Sequence, residues 1–413
     1  GEEIIKYDQT IGLAGKDILA GDHVHTENTQ FLFSKHNYEF STSVKIPNFV
    51  PSKLRPSFNG YKRKNGQVGT RNYIGVLTSV NCSATAAKNI SNFFDEKKLR
   101  KYANVDGVVS FTHGTGCGMP SSGEGFEALQ RVLLGYIQHP NLAGVLLIGL
   151  GCEANQIKFL LDAYNLNLNP FFQAMTIQEQ GGLRQTIDRG IEIIQEMLPK
   201  INRTERSPQS IEHISLALQC GGSDAWSGIT ANPALGYTAD LLIRNGGTVL
   251  LAETPEIYGA EHLLTRRATS EIVGKKLLER ISWWQDYVKR NKGSLNNNPT
   301  PGNKEGGLTT ILEKSLGAAA KGGTTPLMDV LLYAERIKEK GFLFMDSPGY
   351  DPASVTGQIA SGCNIVSFTT GRGSAFGSKP SPAIKISTNT KIYNHMIEDM
   401  DIYAGKIISD NSS

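Results

Sequence analysis

No apolar run in this sequence is long enough to cross a membrane. The longest one covers residues 143–150, far short of the roughly 20 residues that a membrane-spanning helix needs. No signal-peptide pattern opens the chain either. We therefore expect a cytoplasmic protein that does not contact a membrane.

An excess of charge of one sign is also missing. The 42 Lys and Arg residues nearly balance the 39 Asp and Glu residues, which leaves a net charge of +3. The two signs are interspersed along the chain. This distribution gives no electrostatic case for binding nucleic acid.

Cysteine is scarce, with five residues in a chain of 413. The number is odd and the spacing is not that of a disulfide framework, so a reducing compartment is expected. Glycine is abundant at 44 residues, and it clusters in short loops, which indicates backbone lying close to a ligand. A chain of this length has room for two or three domains.

Short apolar runs alternate with amphipathic stretches from residue 60 onward, which is the pattern of βαβ units with mostly parallel sheets. Strands are predicted at 73–80, 106–112, 143–150 and 171–177, and helices at 83–94, 124–137, 155–163 and 181–198. The fold class is therefore α/β, with two α/β units and a small β-rich remnant at the N-terminus.

A second α/β unit is predicted after the polar stretch at 202–209. It begins with a strand at 213–218 and a helix capped by Asn232, with Pro233 at the first helical position. Further strands are expected at 248–252, 341–345 and 364–369. The intervening loop at 293–307 is too long for an ordinary connection and is expected to be functional or mobile.

These patterns give four segments. Residues 1–45 form a small β-rich piece with strand-like runs at 3–7 and 10–13, and residues 46–59 form a linker marked by Pro47, Pro51 and Pro56. Residues 60–208 form the first α/β domain, and residues 209–413 form the second.

Four cysteines share one setting, at the end of an apolar run that opens into a turn of small residues: Cys82, Cys117, Cys152 and Cys220. In open α/β sheets, ligands bind in the crevice outside the carboxyl ends of the strands. We therefore expect these thiols to converge on one rim as a metal or reactive-thiol site. The alternative for each is a buried cysteine that acts as a small apolar residue.

Two neighbours of these thiols extend the candidate set. His113 lies four residues before Cys117, and Glu153 directly follows Cys152. A borderline metal such as Fe(II) accepts thiolate, imidazole and carboxylate ligands, and three cysteines can instead hold an iron–sulfur cluster with one open iron.

Three histidines are candidates for catalysis or ligation. His113 follows a predicted strand and suits a general base or a metal ligand, with a packing role as the alternative. His23 and His25 alternate as on a strand, so both face one side. They are either additional metal ligands or simply exposed side chains.

The turn at 149–154 matches Gly-x-Gly-x-x-Ala after a strand, which is the argument for a nicotinamide-dependent oxidoreductase. The argument is incomplete. Asp162, the nearest acidic residue downstream, lies inside the following helix pattern rather than at the end of a second strand about 20 residues on.

The loop at 221–232 leads into a predicted helix N-terminus, where unpaired N–H groups attract anions. Its side chains Ser223, Asp224 and Asn232 suit hydroxyl groups and a carboxylate. Three basic residues lie on other glycine-containing loops: Arg71, Lys304 and Arg372. Arg is shaped to bind a carboxylate in two places, and the alternative for each is a solvated surface charge.

With these residues in view, the chain resembles the altronate/galactarate dehydratase family. The matching segments run from about residue 55 to about residue 405, and the Cys-Gly-Gly-Ser-Asp block is long enough to be specific. The segments are 60–72, 148–153, 220–233, 253–256, 298–304, 313–317 and 368–373. Residues 1–28 resemble the tail of the small SAF domain that precedes the catalytic part in single-chain members, and its first half is expected to be absent here.

The resemblance implies dehydration of a sugar acid to a 2-keto-3-deoxy acid with a divalent metal, Fe(II) or Mn(II). An iron–sulfur cluster stays open as an alternative cofactor. The family's ligands carry over as candidates: His113, Cys117, Cys152, Glu153 and Cys220, with Cys82, His23 and His25 as further ones. The elimination needs a base and a cation that stabilises the enolate-like charge.

The roles that we expect follow from that chemistry. His113 or Lys314 is the base, and Asp224 and Glu153 bind the metal or substrate hydroxyls. Arg71 and Arg372 bind the carboxylates, assisted by Ser223, Asn232 and Lys304. Sulfolactate sulfo-lyase subunits look similar, so a sulfo-lyase stays open beside the oxidoreductase, as does a metal-free binding subunit. The partner is a small sugar acid, and the sequence leaves a homo-oligomer open.

Overall fold

A computed structural model describes residues 1–32 and 37–409 of the chain. The strands, in chain order, are β1 Glu3–Lys6, β2 Gln9–Ala14, β3 Thr29–Gln30, β4 Ser57–Lys62, β5 Val68–Gly69, β6 Tyr73–Thr78, β7 Gly107–Phe111, β8 Leu142–Gly149, β9 Phe172–Thr176, β10 Ser207–Ser210, β11 Ser215–Cys220, β12 Thr248–Leu251, β13 Leu327–Leu331, β14 Gly341–Met345, β15 Ile365–Thr370, β16 Ala383–Ser387 and β17 Ile402–Tyr403.

The α-helices are α1 Ala84–Phe93, α2 Glu96–Leu99, α3 Glu124–Ile137, α4 Ile157–Ala163, α5 Leu183–Ile201, α6 Ala231–Arg244, α7 Glu261–Thr265, α8 Glu271–Arg290, α9 Pro301–Glu305, α10 Ile311–Ala319, α11 Asp351–Ser361, α12 Thr390–His395 and α13 Lys406–Ser409. Within the described ranges, no helix combines the length and the apolar character that crossing a bilayer would take.

The predicted α/β class is confirmed. Strands β6 to β9 form a four-stranded parallel sheet in the order β7-β6-β8-β9. Leu77 on β6 pairs with Phe111 on one side and with Leu147 on the other. These strands are almost wholly apolar because helices cover both faces: α1 and α5 pack on one another over one face, and α3 packs over the other.

The second sheet has seven parallel strands in the order β13-β14-β12-β11-β15-β16-β17. Its central strands β11, β12 and β14 are also apolar runs, and the interior residues Phe342, Phe344 and Phe368 have no exposed surface. Burying an aromatic side chain of this size stabilises the fold by roughly 1.5–3 kcal/mol. The strand positions predicted from the sequence agree with both sheets to within two residues at most ends.

The two sheets lie side by side and face the same way. At their amino edges, the Asn141 side chain before β8 donates to the carbonyl of Asn364 before β15, at 3.2 Å. Helices α3 and α11 pack together, and their ends meet where His139 contacts the Cys363 carbonyl at 3.1 Å. Both helices begin at the opposite edge, so the carboxyl ends of both sheets point toward one side of the molecule.

The N-terminal strands β1, β2 and β3 form a small antiparallel sheet, as the strand-like runs predict. It packs on the second sheet's helices through Ile11, which contacts Leu316 and Ala319. Lys6 also forms an ion pair with Glu313 at 2.6 Å. The β-rich piece is therefore attached to the helix α10 that carries Lys314.

Two predictions for the second unit need correction. Helix α6 begins at Ala231 with Thr230 as its N-cap, not at Asn232. The Asn232 side chain instead donates to the Gly317 carbonyl at 2.9 Å, a tertiary contact that local sequence cannot reveal. The loop at 293–307 contains a 3-10 turn, Leu295–Asn297, and the short helix α9, so it is more regular than its composition suggests.

Candidate functional site

A buried group of acidic and thiol side chains lies at the carboxyl edge of the seven-stranded sheet. Cys220 ends β11, and Glu253 and Glu256 follow β12, in the turn that contains the 3-10 segment Thr254–Ile257. One atom from each of the three side chains lies within 4.8 Å of the others, and among the described residues no second group of three His, Cys, Asp or Glu residues is this close.

Two lysines complete this group. Lys314 on α10 donates to Glu256 Oε1 at 2.7 Å and to Asn298 Oδ1 at 2.7 Å. Lys321, in the 3-10 turn after α10, lies with its Nζ 2.7 Å from Cys220 Sγ. Lys321 is only 1% exposed, so this ammonium group is held in the interior by the acids around it.

The electrostatics of the group shift the pKa values of its two glutamates in opposite directions. Burial and the charge of Glu256 raise the pKa of Glu253 well above its ordinary value. Burial also opposes ionisation of Glu256, but the ammonium groups of Lys314 and Lys321 outweigh it and lower that pKa. Two neighbouring carboxyl groups whose pKa values differ strongly in this way are typical of acid–base sites.

The lysines and the thiol respond to the same charges. Burial disfavours the ammonium forms of Lys314 and Lys321, yet the pKa of each is raised, by Glu256 for Lys314 and by Cys220 and Glu253 for Lys321. Burial raises the pKa of Cys220 to about 12. Both lysines are therefore cationic at neutral pH, and Lys314 is not a free amine base.

Glu253 has an unusual position. Among the described residues, neither of its carboxylate oxygens has a hydrogen-bond partner, although the side chain is 1% exposed. Its backbone is in the left-handed region at φ +71°, and the Ser347 hydroxyl accepts from its N–H at 3.0 Å. A strained backbone of this kind costs on the order of 1–3 kcal/mol and is found at functional sites.

Asp351 lies at the mouth of the group, at the start of α11. Burial and the charge of Glu256 raise the pKa of Asp351 to about 6. Gly221 allows its approach, because a Cβ at Gly221 would overlap the Asp351 carboxylate. This half-buried carboxyl group is thus close to the neutral range in which a general base works best.

A second feature of the same edge is an open cleft of about 430 Å³ beside Asp224, lined also by Glu305, Arg372 and Lys391. Asp224 accepts from Ser227 at 2.9 Å and Thr388 at 3.0 Å. Arg372 reaches Glu305 at 3.2 Å. Asp224 is therefore fully bonded within the protein, whereas Arg372 faces the cleft.

The N-terminal piece contacts the segment next to this cleft. His25 Nε2 lies 2.8 Å from the Lys304 carbonyl, and His23 and His25 stack with ring centroids 5.2 Å apart. Ser223 is buried, and its carbonyl accepts from Asn303 at 2.8 Å. The predicted residues Lys304 and Ser223 thus contribute backbone contacts that hold the rim together.

The four thiols are divided between the two sheets. Cys82, Cys117 and Cys152 are exposed and follow β6, β7 and β8 of the four-stranded sheet, whereas Cys220 is buried at the end of β11. Cys117, Cys152 and Cys220 therefore do not form one compact ligand set. The three exposed thiols share an edge, as the sequence predicts for strand ends, and the fourth belongs to the buried group.

His113 and Glu153 support the loops that carry the thiols. His113 contacts the Thr78 carbonyl through Nε2 at 2.9 Å and accepts from the Thr115 N–H through Nδ1 at 3.3 Å. Burial lowers its pKa, so it is a neutral ring with both nitrogens engaged. Glu153 accepts from Ser79 Oγ at 2.6 Å.

Glu153 also bears on the nicotinamide alternative. Its carboxylate accepts from the N–H groups of Leu150 at 3.2 Å and Gly151 at 2.6 Å. These are the amide groups that a glycine-rich turn would offer to a pyrophosphate. The turn is thus closed by the protein's own carboxylate.

Arg71 lies away from both groups. It precedes β6, at the amino edge of the four-stranded sheet, and its side chain donates to the Thr70 carbonyl at 3.2 Å. Asn232, buried under α10, accepts from Thr369 at 2.6 Å. Arg71 is thus at the edge opposite to Lys314 and Asp351, whereas Asn232 is held near Cys220, because Thr369 pairs with Cys220 in the sheet.

Sequence reasoning missed five members of the buried group: Glu253, Glu256, Asn298, Lys321 and Asp351. A signal was available for the first two, since they directly follow the apolar strand β12. Asp351 similarly follows β14. Lys321 gives no such signal, because it reaches Cys220 across 101 residues of sequence.

The donor set of the buried group suits a divalent cation. Thiolate and carboxylate oxygens are accepted by borderline metals such as Fe(II) and Mn(II), and the Glu253 carboxylate offers two oxygens without a partner among the described residues. Glu253 must lose its proton to become a ligand, and Glu253, Glu256 and Asp351 then carry one more formal charge than Lys314 and Lys321. The residues present therefore fit a cation held by Cys220, Glu253 and Glu256.

Comparisons with known proteins show which proteins this chain resembles. The sequence profile described as "D-galactarate/Altronate dehydratase, C-terminal" matches residues 211–413. The profile described as "D-galactarate dehydratase/Altronate hydrolase, second domain" matches residues 60–202. The region that the first profile matches includes the whole buried group, and the region that the second matches includes the three exposed thiols.

Three curated relatives cover most of the chain. Altronate dehydratase of Bacillus subtilis is 35% identical over 99% of this chain and 81% of its own length. Galactarate dehydratase (L-threo-forming) of Escherichia coli is 36% identical over 98% of this chain and 79% of its own length. The (2R)-sulfolactate sulfo-lyase subunit beta of Chromohalobacter salexigens is 32% identical over 84% of this chain and 85% of its own length.

Proposed function

This chain belongs to the D-galactarate/altronate dehydratase family, and on that premise we propose that it is a hydro-lyase that converts a hexonate or hexarate to a 2-keto-3-deoxy acid. The observation that carries the proposal is the buried group at the end of β11 and β12. It combines two cationic lysines with acids whose pKa values are pushed apart.

The reaction removes a proton next to a carboxylate and expels the hydroxyl group on the neighbouring carbon. The resulting enol then becomes the 2-keto acid. Negative charge grows on the carboxylate side as the proton leaves, and fixed cations in a water-poor site stabilise such charge strongly. Lys314 and Lys321 supply these cations, held in place by Glu256 and Cys220.

The proton transfers fall to the two acids with raised pKa values. Asp351, half-buried at the mouth and with its pKa raised to about 6 by burial and Glu256, is ionised at neutral pH and accepts the proton from carbon. Glu253, whose pKa burial and Glu256 raise much further, carries a proton that it donates to the departing hydroxyl group when no cation is bound, and that it must release before it can hold a cation. His113 and Lys314 are thereby replaced as candidate bases.

A divalent cation held by Cys220, Glu253 and Glu256 would supply Lewis-acid stabilisation of the departing oxygen and the enolate-like charge. The residues of the chain must then exchange their own contacts for the ion. Glu253 would lose no hydrogen bond within the described structure by binding the ion. We therefore expect Glu253 to bind an added metal ion more readily than Cys220 or Glu256.

The distal end of a six-carbon acid needs a second anchor. Arg372 lies beside the open cleft next to Asp224, 41% exposed on its side chain, and its fork-shaped guanidinium group suits a second carboxylate or several hydroxyl groups. Lys391 lines the same cleft. We assign this cleft to the part of the substrate that does not react.

The test is a substrate screen with the anaerobically purified protein. Altronate, galactarate and other aldonates and aldarates are each incubated with Fe(II) or Mn(II), and the 2-keto acid is measured. Lys275→Met serves as the matched control for Lys314→Met, because Lys275 pairs with Glu271 on the exposed face of α8. Turnover in wild type and in Lys275→Met, but not in Lys314→Met, supports the proposal. Equal turnover in both lysine variants contradicts it.

A sulfo-lyase is the second candidate, supported by the 32% identity to the sulfolactate sulfo-lyase subunit. That reaction also removes a proton next to a carboxylate, so the same lysines and acids serve it. The departing group is then sulfite instead of hydroxide. Sulfite release from sulfolactate, measured in the same screen, distinguishes the two.

A further inference from the structure

Three exposed thiols lie on one edge of the four-stranded sheet, outside the buried group that the proposed function uses. Cys82 follows β6, Cys117 follows β7 and Cys152 follows β8, and these are three neighbouring strands of the sheet. The carboxyl ends of neighbouring parallel strands meet at the same edge. The thiols are therefore gathered by the topology of the sheet.

The order of the strands puts these thiols at the expected ligand position. The chain runs from the central strand β6 to β7 on one side, and then crosses back to β8 on the other. Ligands of open α/β sheets bind at such a reversal, outside the carboxyl ends of the strands on its two sides. Cys82 and Cys152 follow these two strands.

The three loops are fixed to one another by their backbones. The Asn81 N–H donates to the Thr115 carbonyl at 3.0 Å, and the Ala154 N–H donates to the Cys117 carbonyl at 3.0 Å. The Ser83 hydroxyl donates to the Ile148 carbonyl at 2.7 Å. Each cysteine is thus within two residues of a hydrogen bond that joins its loop to another of the three loops.

Space is left beside these thiols. Within the described structure, a Cβ added at Gly114 or at Gly118 would meet no atom within 4 Å, so the loop around Cys117 is open to a ligand. On the inner side the packing is tight: a Cβ at Gly116, whose φ is +98°, would overlap the Ser79 carbonyl. The loop is therefore anchored underneath and open above.

The number and spacing of the thiols narrow the class of ligand. In the described residues, Cys82, Cys117 and Cys152 do not form a group with all ligand atoms within 4.8 Å, whereas thiolates that share one tetrahedral zinc ion lie roughly 3.8 Å apart, given a Zn–S bond of about 2.3 Å. His113, the nearest imidazole in sequence, has both ring nitrogens engaged. A two-iron cluster needs four protein ligands, and this edge of the described structure offers three cysteines.

We propose that Cys82, Cys117 and Cys152 bind a four-iron, four-sulfide cluster whose fourth iron has no protein ligand. Three thiolates satisfy three irons of such a cluster. The three thiols lie at the carboxyl edge of their sheet, and the carboxyl edge of the other sheet, with Asp351, points toward the same side of the molecule. The role of the fourth iron as a Lewis acid for a substrate hydroxyl or carboxylate oxygen rests on the proposed function, whereas the ligation by the three thiols does not.

The test is reconstitution of the anaerobically purified full chain with sulfide and a mixture of Fe(II) and Fe(III), because the resting cluster contains iron in both oxidation states. Iron and acid-labile sulfide are counted per chain, and the visible charge-transfer absorption and the paramagnetic resonance spectrum after reduction are recorded. We expect the single variants Cys82→Ser, Cys117→Ser and Cys152→Ser each to lower cluster absorption about tenfold or more. Each of them removes one thiolate ligand of the cluster. Cys220→Ser and Cys363→Ser, with buried thiols, are the matched controls and keep the spectrum.

Several outcomes overturn the inference. Cluster absorption that survives in the three exposed-thiol variants but disappears in Cys220→Ser assigns the iron to the buried group. Iron that binds without sulfide shows a single-ion site. Circular dichroism of each variant identifies loss of fold, and a variant that binds Fe(II) and sulfide normally while folded removes that cysteine from the ligand set.

The two proposals fail separately. A cluster that forms on the three thiols without turnover of any sugar acid contradicts the proposed function and leaves the cluster site supported. Full turnover in the Cys82→Ser/Cys117→Ser/Cys152→Ser variant, with no cluster present, overturns the role of the open iron and leaves the dehydratase supported.

Discussion

Lys314 and Glu256 form an ion pair inside the protein, with 2.7 Å between Nζ and Oε1 and side-chain exposures of 8% and 7%. A buried pair of this kind is poor evidence for net stability, because both charges lose their hydration. Removing one partner alone is different, since it leaves an uncompensated charge in the interior. The pair therefore gives a direct test of how the buried group is held.

We expect Lys314→Met to lower the free energy of unfolding by about 3 kcal/mol, because Glu256 then loses its main counter-charge. Chemical denaturation monitored by circular dichroism measures the change. Lys275→Met, which breaks an exposed pair with Glu271, is expected to stay within about 0.5 kcal/mol of wild type. The double variant Lys314→Met/Glu256→Gln should recover part of the loss, and a single variant as stable as wild type contradicts the prediction.

Glu253→Gln is expected to separate stability from function. Burial and Glu256 raise its pKa well above the ordinary value, so the side chain is already uncharged when no cation is bound, and an uncharged amide replaces it without a change of charge. Stability should stay equal to wild type or rise, while affinity for Mn(II) falls at least about tenfold. Calorimetric titration with Mn(II) and denaturation of the same samples measure both. Glu256→Gln should instead be destabilised, because it removes a negative charge that stabilises the ammonium groups of Lys314 and Lys321.

Asp351 sets a pH dependence for activity. Burial and Glu256 raise its pKa to about 6, so a base at this position becomes active as the pH rises through about 6. The profile of kcat/KM against pH should show this limb, and Asp351→Asn should lose both the limb and most of the activity. A limb that stays in place in Asp351→Asn assigns the base to another residue.

The same residue makes a prediction for stability. Because its folded pKa is raised above the ordinary value for aspartate, the folded protein holds this proton more tightly than the unfolded chain does. The contribution of Asp351 to stability is complete below the ordinary aspartate range and is lost as the pH rises to about 6. Denaturation at a series of pH values should show this decline in wild type but not in Asp351→Asn.

The positions of the strands, and of the cysteines at their carboxyl ends, could be predicted from the sequence. Which strands share a sheet could not. Apolar runs such as that at 143–150 fix their strands because both faces are covered by helices, and β8 spans Leu142–Gly149. The positions of Cys82, Cys117 and Cys152 at strand ends follow from the same pattern. Convergence of Cys220 with them does not follow, because which strands share a sheet depends on tertiary packing.

The buried group shows where sequence reasoning stops. Lys314 was singled out from a family segment, but its counter-charge Glu256 is 58 residues away in sequence, and no local pattern joins the two. Asn232 shows the opposite error. Its Asn-Pro signal is a good local rule for a helix start, yet Thr230 is the N-cap, since Asn232 is bound to Gly317 and Thr369 instead.

The exposure of the thiols gives a last prediction, which needs neither substrate nor metal. Cys82, Cys117 and Cys152 are exposed, and Cys220 and Cys363 are buried. Iodoacetamide should therefore modify the first three in the folded protein, and all five only after unfolding, as counted by mass spectrometry. Reconstitution with Fe(II), Fe(III) and sulfide should then protect the three exposed thiols together, because one cluster occupies them at once. Protection of only one or two of them contradicts a shared site.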